Sequence, residues 1–301
     1  MRNNQLGRSS LMVSEVSLGC MSLHAADQKQ VSGIIHRAFE EGINFFDTAD
    51  LYDYGMNEKA VGEAVHGFRK QVVISSKVGN QWRDDRQSWD WKANKKYILK
   101  AIDATLNRLK TDYLDLYQLH GGTMDDPFDE IIDAFETLKK DGKIRAYGIS
   151  SIRPNVIKTY AENSAIDAVM LQYNLIDRRP EEELLNYLAQ REIGVLARGP
   201  IAKGLLINKP VSSYIQYTSS EVQHIIRNVM DFTKQTGLSH MATAINYILS
   251  QEAISTVVLG LRSAQQLNEF IQVKREFRKL TAGERKHLVQ GARTLYYTEH
   301  R

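Results

Sequence analysis

The chain lacks several features that would tie it to particular classes of protein. It has one cysteine, Cys20, in 301 residues. Neither an internal disulfide framework nor a zinc site built on cysteine pairs can therefore form. A lone thiol fits a reducing compartment, and a cytoplasmic location is expected. The first residues, Met1-Arg2-Asn3-Asn4-Gln5, lack the apolar core of a signal peptide. No apolar run approaches the roughly 20 residues that cross a bilayer. Charge of one sign is missing too: 39 basic residues face 36 acidic ones, the net charge is +3, and the Lys and Arg are scattered. Neither nucleic acid nor membrane is expected as a partner. No Gly-Xaa-Gly triplet occurs, so the phosphate-binding turn of an open dinucleotide fold is absent. No low-complexity linker or shift of composition marks a boundary, and residues 1–301 are expected to form one domain.

What is present is a regular alternation. A hydrophobic fraction of 43% beside 25% charged residues supports a substantial core. Residues 5–13 read as a small hairpin that turns through Leu6-Gly7-Arg8-Ser9-Ser10. Short apolar segments follow at Val16–Gly19, Asn44–Asp47, Val72–Lys77, Leu114–His120, Ile144–Ser150, Ala168–Gln172, Gly194–Arg198 and Thr256–Leu259. Between them lie helical patterns. Asp27 caps one whose apolar positions Val31, Ile34, Ile35, Ala38 and Phe39 have helical spacing. Others cover 57–65, 93–109, 127–140, a stretch opened by Pro154, 181–191, 220–235, 239–250, a stretch capped by Ser263, and 282–293. Strands apolar on both faces and separated by helices pair in parallel. Eight such units predict an α/β fold of the closed (β/α)8 kind, a TIM barrel with a short N-terminal β-hairpin.

In such a barrel the chemistry sits at the C-terminal ends of the strands. Asp47, Lys77 and His120 end three consecutive predicted strands, and Tyr52 follows the first of them in a loop. A free phenol titrates near about 10 and is a poor acid at neutral pH. A neighbouring ammonium pulls that value down. Lys77 can supply the charge, Asp47 can hold Lys77 protonated, and His120 can hydrogen-bond a substrate oxygen and share in proton transfer. Each residue alone reads as a cap, a packing aromatic, a solvated lysine or a loop histidine. Together, on adjacent strands, they form a set able to protonate a carbonyl oxygen while a hydride reaches its carbon. They include no activated serine or cysteine nucleophile and no metal triad, and no metal is expected.

Phe46-Asp47-Thr48-Ala49-Asp50-Leu51-Tyr52, with Gly55 and Asn57-Glu58 behind it, resembles the signature of the aldo-keto reductase superfamily. Asp112-Tyr113-Leu114-Asp115-Leu116-Tyr117-Gln118-Leu119-His120 is similar to that family's His-bearing strand, and Lys143 to Ser150 to its fifth strand. The similarity runs from about Leu6 to about Phe270 and is greatest to bacterial members described only as oxidoreductases. It implies an NADP(H)-dependent reductase of aldehydes or ketones, with Tyr52 as general acid and Asp47, Lys77 and His120 completing a tetrad. It also leaves open an NADP(H)-binding regulatory subunit that senses redox state with little turnover.

The resemblance implies cofactor positions as well. Gly19 and Asp47 match the nicotinamide end, and Ser150 and Gln172 match groups that bind the carboxamide. Ser151 stands where the family usually has Asn, and its hydroxyl can still hydrogen-bond. Arg198 stands where many relatives stack an aromatic ring; a planar guanidinium can also stack. Gly199, Pro200, Ala202, Lys203, Gly204 and Leu205 match the loop over the pyrophosphate. Lys203 reads there as a phosphate partner or as a solvated loop lysine. Gly260, Arg262 and Ser263 match the site of the 2′-phosphate, where a guanidinium beside a helix N-terminus favours an anion. Gln266 and Glu269 match the adenine side, and Phe270 replaces the usual Asn. The substrate, a small carbonyl compound, is expected against Met21, Tyr52, Trp82 and His120. Cys20 and Tyr173 are further candidates by position. Trp82, Trp89 and Trp91 either wall the pocket or pin a long loop, and Arg178-Arg179 reads as attracting an acidic substrate or, the favoured expectation, as facing solvent. The chain is expected to act as a monomer or a small homo-oligomer.

Overall fold

A short antiparallel hairpin, β1 (Asn3–Gln5) and β2 (Met12–Ser14), comes first. It precedes the barrel strand β3 (Val16–Gly19). The remaining strands are β4 (Phe45–Asp47), β5 (Val73–Val78), β6 (Asn80–Trp82), β7 (Trp89–Trp91), β8 (Leu114–Leu119), β9 (Ile144–Ser150), β10 (Ala168–Gln172), β11 (Gly194–Arg198) and β12 (Ile254–Gly260). The helices are α1 (Gln28–Glu40), α2 (Met56–Val65), α3 (Lys95–Leu109), α4 (Phe128–Lys140), α5 (Pro154–Asn163), α6 (Leu184–Gln190), α7 (Ser219–Thr236), α8 (His240–Leu249), α9 (Ala264–Val273) and α10 (Ala282–Leu288). The computed structural model describes residues 1–301.

Eight of these strands pair in parallel and close on themselves, in the order β10-β11-β12-β3-β4-β5-β8-β9. The molecule is thus the (β/α)8 barrel that the alternation predicts. Side chains alternate across each strand, and the two faces have different fates. Outward residues such as Leu18, Phe46, Ile74, Tyr117 and Ile149 pack under the helices in one large core. Inward residues Phe45, Val73, Leu116, Ala146, Ala168, Met170, Leu196 and Val258 fill the barrel with Leu6, Leu11 and Val13 of the hairpin. The hairpin therefore plugs the bottom of the barrel. Its turn needs Gly7, with φ of +55°, because a Cβ there would lie 2.1 Å from the Asp167 carbonyl oxygen.

Helix starts follow the capping chemistry expected of the sequence. The side chains of Asp27, Asn94, Thr218, Ser239, Ser263 and Thr281 each accept a backbone N–H of the first turn. Three segments differ from the sequence-based expectation. The helix predicted over 181–191 begins at Leu184, because Arg179–Glu181 make a separate 3₁₀ turn. The helix predicted over 282–293 stops at Leu288. Beyond it the Gln290 carbonyl accepts from Asn228 and bonds the His224 ring, and Gly291 turns left-handed at φ +71°. The stretch after β5 is not an irregular loop: β6 and β7 pair antiparallel with Trp82 opposite Trp89. No helix is long and apolar enough to cross a membrane.

Candidate active site

Strand parity brings the site together. Val73 and Ser75 share a face with Lys77, Phe45 shares one with Asp47, and Leu116 and Gln118 share one with His120. Since Phe45, Val73 and Leu116 point into the barrel, Asp47, Lys77 and His120 point inward at the upper end. The same count places Ser150, Gln172, Arg198, Gly260 and Gly19 on inward positions of their own strands.

Lys77 has no exposed surface and donates to Asp47 Oδ2 at 2.7 Å and to the Thr48 carbonyl at 2.7 Å. Its third hydrogen faces the Tyr52 hydroxyl at 3.4 Å. The Tyr52 and His120 rings meet edge to face, 5.9 Å between centroids. The loop carrying Tyr52 is braced from three sides. Asn57 accepts from the Thr48 hydroxyl at 2.7 Å and donates to the Cys20 carbonyl at 2.9 Å. Glu58, fully buried, accepts from Ser76 and pairs with Arg108. Asp53, Tyr54 and Gly55 all have positive φ, and a Cβ on Gly55 would lie 2.6 Å from Arg108 Nε. Trp82 donates its indole N–H to the Leu51 carbonyl at 3.0 Å.

Burial sets the electrostatics. It acts first on Lys77 by disfavouring the charged form, yet the charges of Asp47 and Tyr52 outweigh it, and the ammonium is held above its ordinary value. Burial also raises the Tyr52 phenol, and the Lys77 charge works against that rise without cancelling it. The net direction is upward, opposite to the lowering that a neighbouring ammonium alone predicts. His120 is pushed down to about 3, by burial first and then by the Lys77 and Arg198 charges. It is therefore a neutral imidazole at physiological pH, a hydrogen-bonding group and not a store of protons. Asp47 Oδ1 and His120 Nδ1 are buried without a hydrogen-bond partner.

These groups open into a cavity of about 1390 Å³, larger than a drug-sized pocket needs. Of the sequence candidates, Gly19, Met21, Asp47, Tyr52, His120, Ser150, Ser151, Arg198, Gly199, Pro200, Lys203, Gly204, Gly260, Arg262 and Gln266 line it. Lys77 lies behind Tyr52. Gln172 stands behind Arg198 and accepts from its Nη1 at 3.1 Å. Other candidates are not brought into the lining. Trp82 is spent on Leu51 and on tilted and edge-to-face contacts with Tyr54 and Trp89, and Trp91 takes its place, donating to Asp126 at 2.6 Å. Ala202 and Leu205 turn into the core. Ser263 caps α9 by accepting from Gln266 N at 3.2 Å. Glu269 points outward and accepts from Gln265 at 3.0 Å. Phe270 is fully buried. Cys20 is enclosed, and Tyr173 donates away from the cavity to Glu181 at 2.6 Å.

The expectation that Arg178-Arg179 faces solvent is overturned. Arg178 is buried and donates to the Arg293 carbonyl at 3.0 Å. Arg179 lines the cavity, locked to the fully buried Asp177 by two bonds of 2.8 Å, and stacks over Tyr297. Asp177 also accepts from Gln172 at 2.8 Å. Reading the sequence also missed Asn80, Gly121 to Thr123, Arg153 and Tyr297 to His300 in the lining. The Trp89-Asp90-Trp91 alternation was the one signal that could have revealed β7. The segment 297–300 has no periodicity that announces it.

A model of the aldo/keto reductase family matches residues 15–290. An uncharacterised oxidoreductase of Bacillus subtilis, YqkF, is 45% identical over the whole length of both chains. An L-galactose dehydrogenase of Arabidopsis thaliana is 28% identical over 91% of this chain and 88% of its own. Among solved structures, the holo form of aldo-keto reductase AKR11C1 from Bacillus halodurans is 43% identical. It covers 100% of this chain and 99% of its own, with a TM-score of 0.94. The apo form of that protein gives 0.87 over the same coverage at 41% identity.

Proposed function

Because the chain belongs to the aldo/keto reductase family, we propose that it reduces aldehydes or ketones to alcohols with NADPH, and that Tyr52 is the general acid. The observation that carries this reading is the Tyr52 hydroxyl, 3.4 Å from the ammonium of a fully buried lysine, in the wall of a cavity larger than one small substrate requires.

A reduced nicotinamide, when bound, would supply the hydride for the carbonyl carbon. Tyr52 gives its proton to the carbonyl oxygen as negative charge develops there. Burial keeps that proton in place at neutral pH, and Lys77 stabilises the phenolate left behind. Asp47 fixes the ammonium where that charge appears. His120, neutral, offers the same oxygen a hydrogen bond.

The residues present fit a nicotinamide dinucleotide. Gly19 and Gly260 leave bare backbone in the lining, and a Cβ on Gly19 would lie 3.1 Å from Val258. The orphaned Asp47 Oδ1 stands near the reacting end. Ser150 and Ser151 would hold the carboxamide, Arg198 would face the ring and Lys203 would meet the pyrophosphate, whereas Gln172 is committed to Arg198 and Asp177. Arg262 has no carboxylate partner, beside the N-terminus of α9, and suits the 2′-phosphate. The greater likeness to a holo than to an apo relative supports a cavity shaped for a bound group. The buried thiol of Cys20 is in keeping with a reducing, cytoplasmic setting.

The test is a panel of aldehydes and ketones assayed with NADPH and NADH in parallel, on the wild type and on Tyr52→Phe. Turnover with NADPH should fall by about 10³ in the variant. Retained turnover removes Tyr52 from the role of acid, and a strong NADH preference removes Arg262 from the 2′-phosphate.

A further inference from the structure

The cavity holds more positive charge than the proposed cofactor and the local carboxylates explain. Six cationic side chains line it: Arg153, Arg179, Arg198, Lys203, Lys209 and Arg262. Arg179 is neutralised by Asp177. Arg198 is held by Gln172 next to the reacting groups. Lys203, Lys209 and Arg262 lie on the segments after β11 and β12, where phosphates are proposed to bind. Arg153 remains. It stands at the other side of the mouth, between β9 and α5, and it has no carboxylate within ion-pairing distance.

The surroundings of Arg153 are built rather than loose. One Nη donates to the carbonyl of Gly122, two residues beyond His120. Gly122 has φ of +108°, and a Cβ there would lie 2.9 Å from Val156, so this carbonyl's aim is fixed by packing. The Trp91 ring lies over Gly121, where a Cβ would be 3.3 Å from it. From the far side, the His300 carbonyl accepts the backbone N–H of Asn155 and brings the C-terminal segment alongside. Nearby acids are committed elsewhere. Asp126 accepts from Trp91 and from Thr123 N, and Glu299 leaves 83% of its side chain in solvent. A half-buried guanidinium, bonded to the Gly122 carbonyl two residues beyond His120, thus keeps donors free on this side of the cavity.

Guanidinium donors match a carboxylate in a planar fork, and a half-buried charge without a partner favours a ligand of opposite sign. We propose that Arg153 forms a subsite for a carboxylate on the substrate, so that the preferred carbonyl compounds are short oxo-acids whose acid group lies a few bonds from the carbonyl. The assignment rests on reading the cavity as a carbonyl-reducing site. Tyr52 and His120 receive the carbonyl end and Arg153 receives the acid end.

Matched pairs test it: succinic semialdehyde against butanal, and 4-carboxybenzaldehyde against 4-methylbenzaldehyde, with NADPH. In the wild type the acid of each pair should be favoured in kcat/KM by about tenfold or more. Arg153→Met, which keeps the stem, should erase that advantage through KM, and Arg153→Lys should restore part of it. Equal losses on both members of a pair would make Arg153 a clamp on the Gly122 loop and overturn the subsite. So would the absence of any preference in the wild type. If neither member turns over, the reductase reading fails separately. The subsite is then read from intrinsic tryptophan fluorescence, titrating 4-(hydroxymethyl)benzoate against 4-methylbenzyl alcohol with wild type and Arg153→Met. Selective binding of the acid, lost in the variant, supports it; equal binding of the two rejects it.

Discussion

The two halves of the cavity are built by different means. The side proposed to handle the proton, at the ends of β4, β5 and β8, is an interlocked set. Lys77 makes three contacts, Glu58 is spent on Ser76 and Arg108, and the Tyr52 loop is wedged by Asn57, Arg108 and Trp82. The side beyond β11 and β12, where the cofactor is proposed to bind, is richer in cations. Its loop after β11 turns through left-handed Gly199, Ala202, Lys203 and Gly204. There, charges are held singly, as Arg198 is by Gln172, or wait without a partner, as Arg262 does. The contrast separates two demands. Proton transfer needs fixed distances among groups the protein itself owns. A charged ligand needs a surface whose own charges are left unsatisfied until it arrives.

If the proton side is one locked unit, removing Lys77 should do most damage. Lys77→Met strands Asp47 in the barrel, which should cost about 3 kcal/mol of stability. Carbonyl reduction should fall by about 10³ or more, beyond what unfolding explains. Urea unfolding and single-turnover reduction on the folded fraction check both. A variant that keeps its activity would dissolve the contrast.

The next effect is in acid. His120 has a folded value pushed down to about 3, against 6.5 as the ordinary value. The unfolded chain therefore takes up the proton first as pH falls. The contribution is complete above about 6.5 and is lost progressively toward 3, about 2 kcal/mol by pH 5. Urea midpoints at pH 7.5 and 5 should diverge in the wild type, and less so in His120→Gln. Identical pH slopes would show that this histidine is not held neutral by its surroundings.

Smallest is a change on the cofactor side. If Arg198 lies beside the ring as proposed, its charge disfavours the oxidised, cationic nicotinamide. Arg198→Tyr should tighten NADP+ several-fold relative to NADPH, read by fluorescence titration of both. An unchanged ratio would mean that Arg198 does not face the ring.

Legibility in the sequence follows the same division. Asp47, Lys77 and His120 could be found because each ends a short apolar strand, and a period of two carries their neighbours' inward direction to them. Helix starts were legible for a similar reason, since an Asp, Asn, Ser or Thr cap acts within three residues of itself. Trp82 and Trp91 could not be told apart. Both lie at strand ends in one small hairpin, and only the positions of Leu51 and Asp126 decide which indole faces the cavity. Arg179 read as a solvated charge because its partner, Asp177, has its burial fixed by distant packing.

The order of strands, the closed barrel and the three inward titratable groups were therefore set by local pattern, in which alternation and capping act over a few residues. Tertiary structure alone decided that the C-terminal segment returns to the mouth at Tyr297 to His300, that Arg178 is buried, and that Arg153 lines the cavity without a carboxylate partner. Those outcomes depend on contacts such as Asn155 with His300 and Arg178 with Arg293. They join residues more than a hundred positions apart, a separation over which no periodicity carries information.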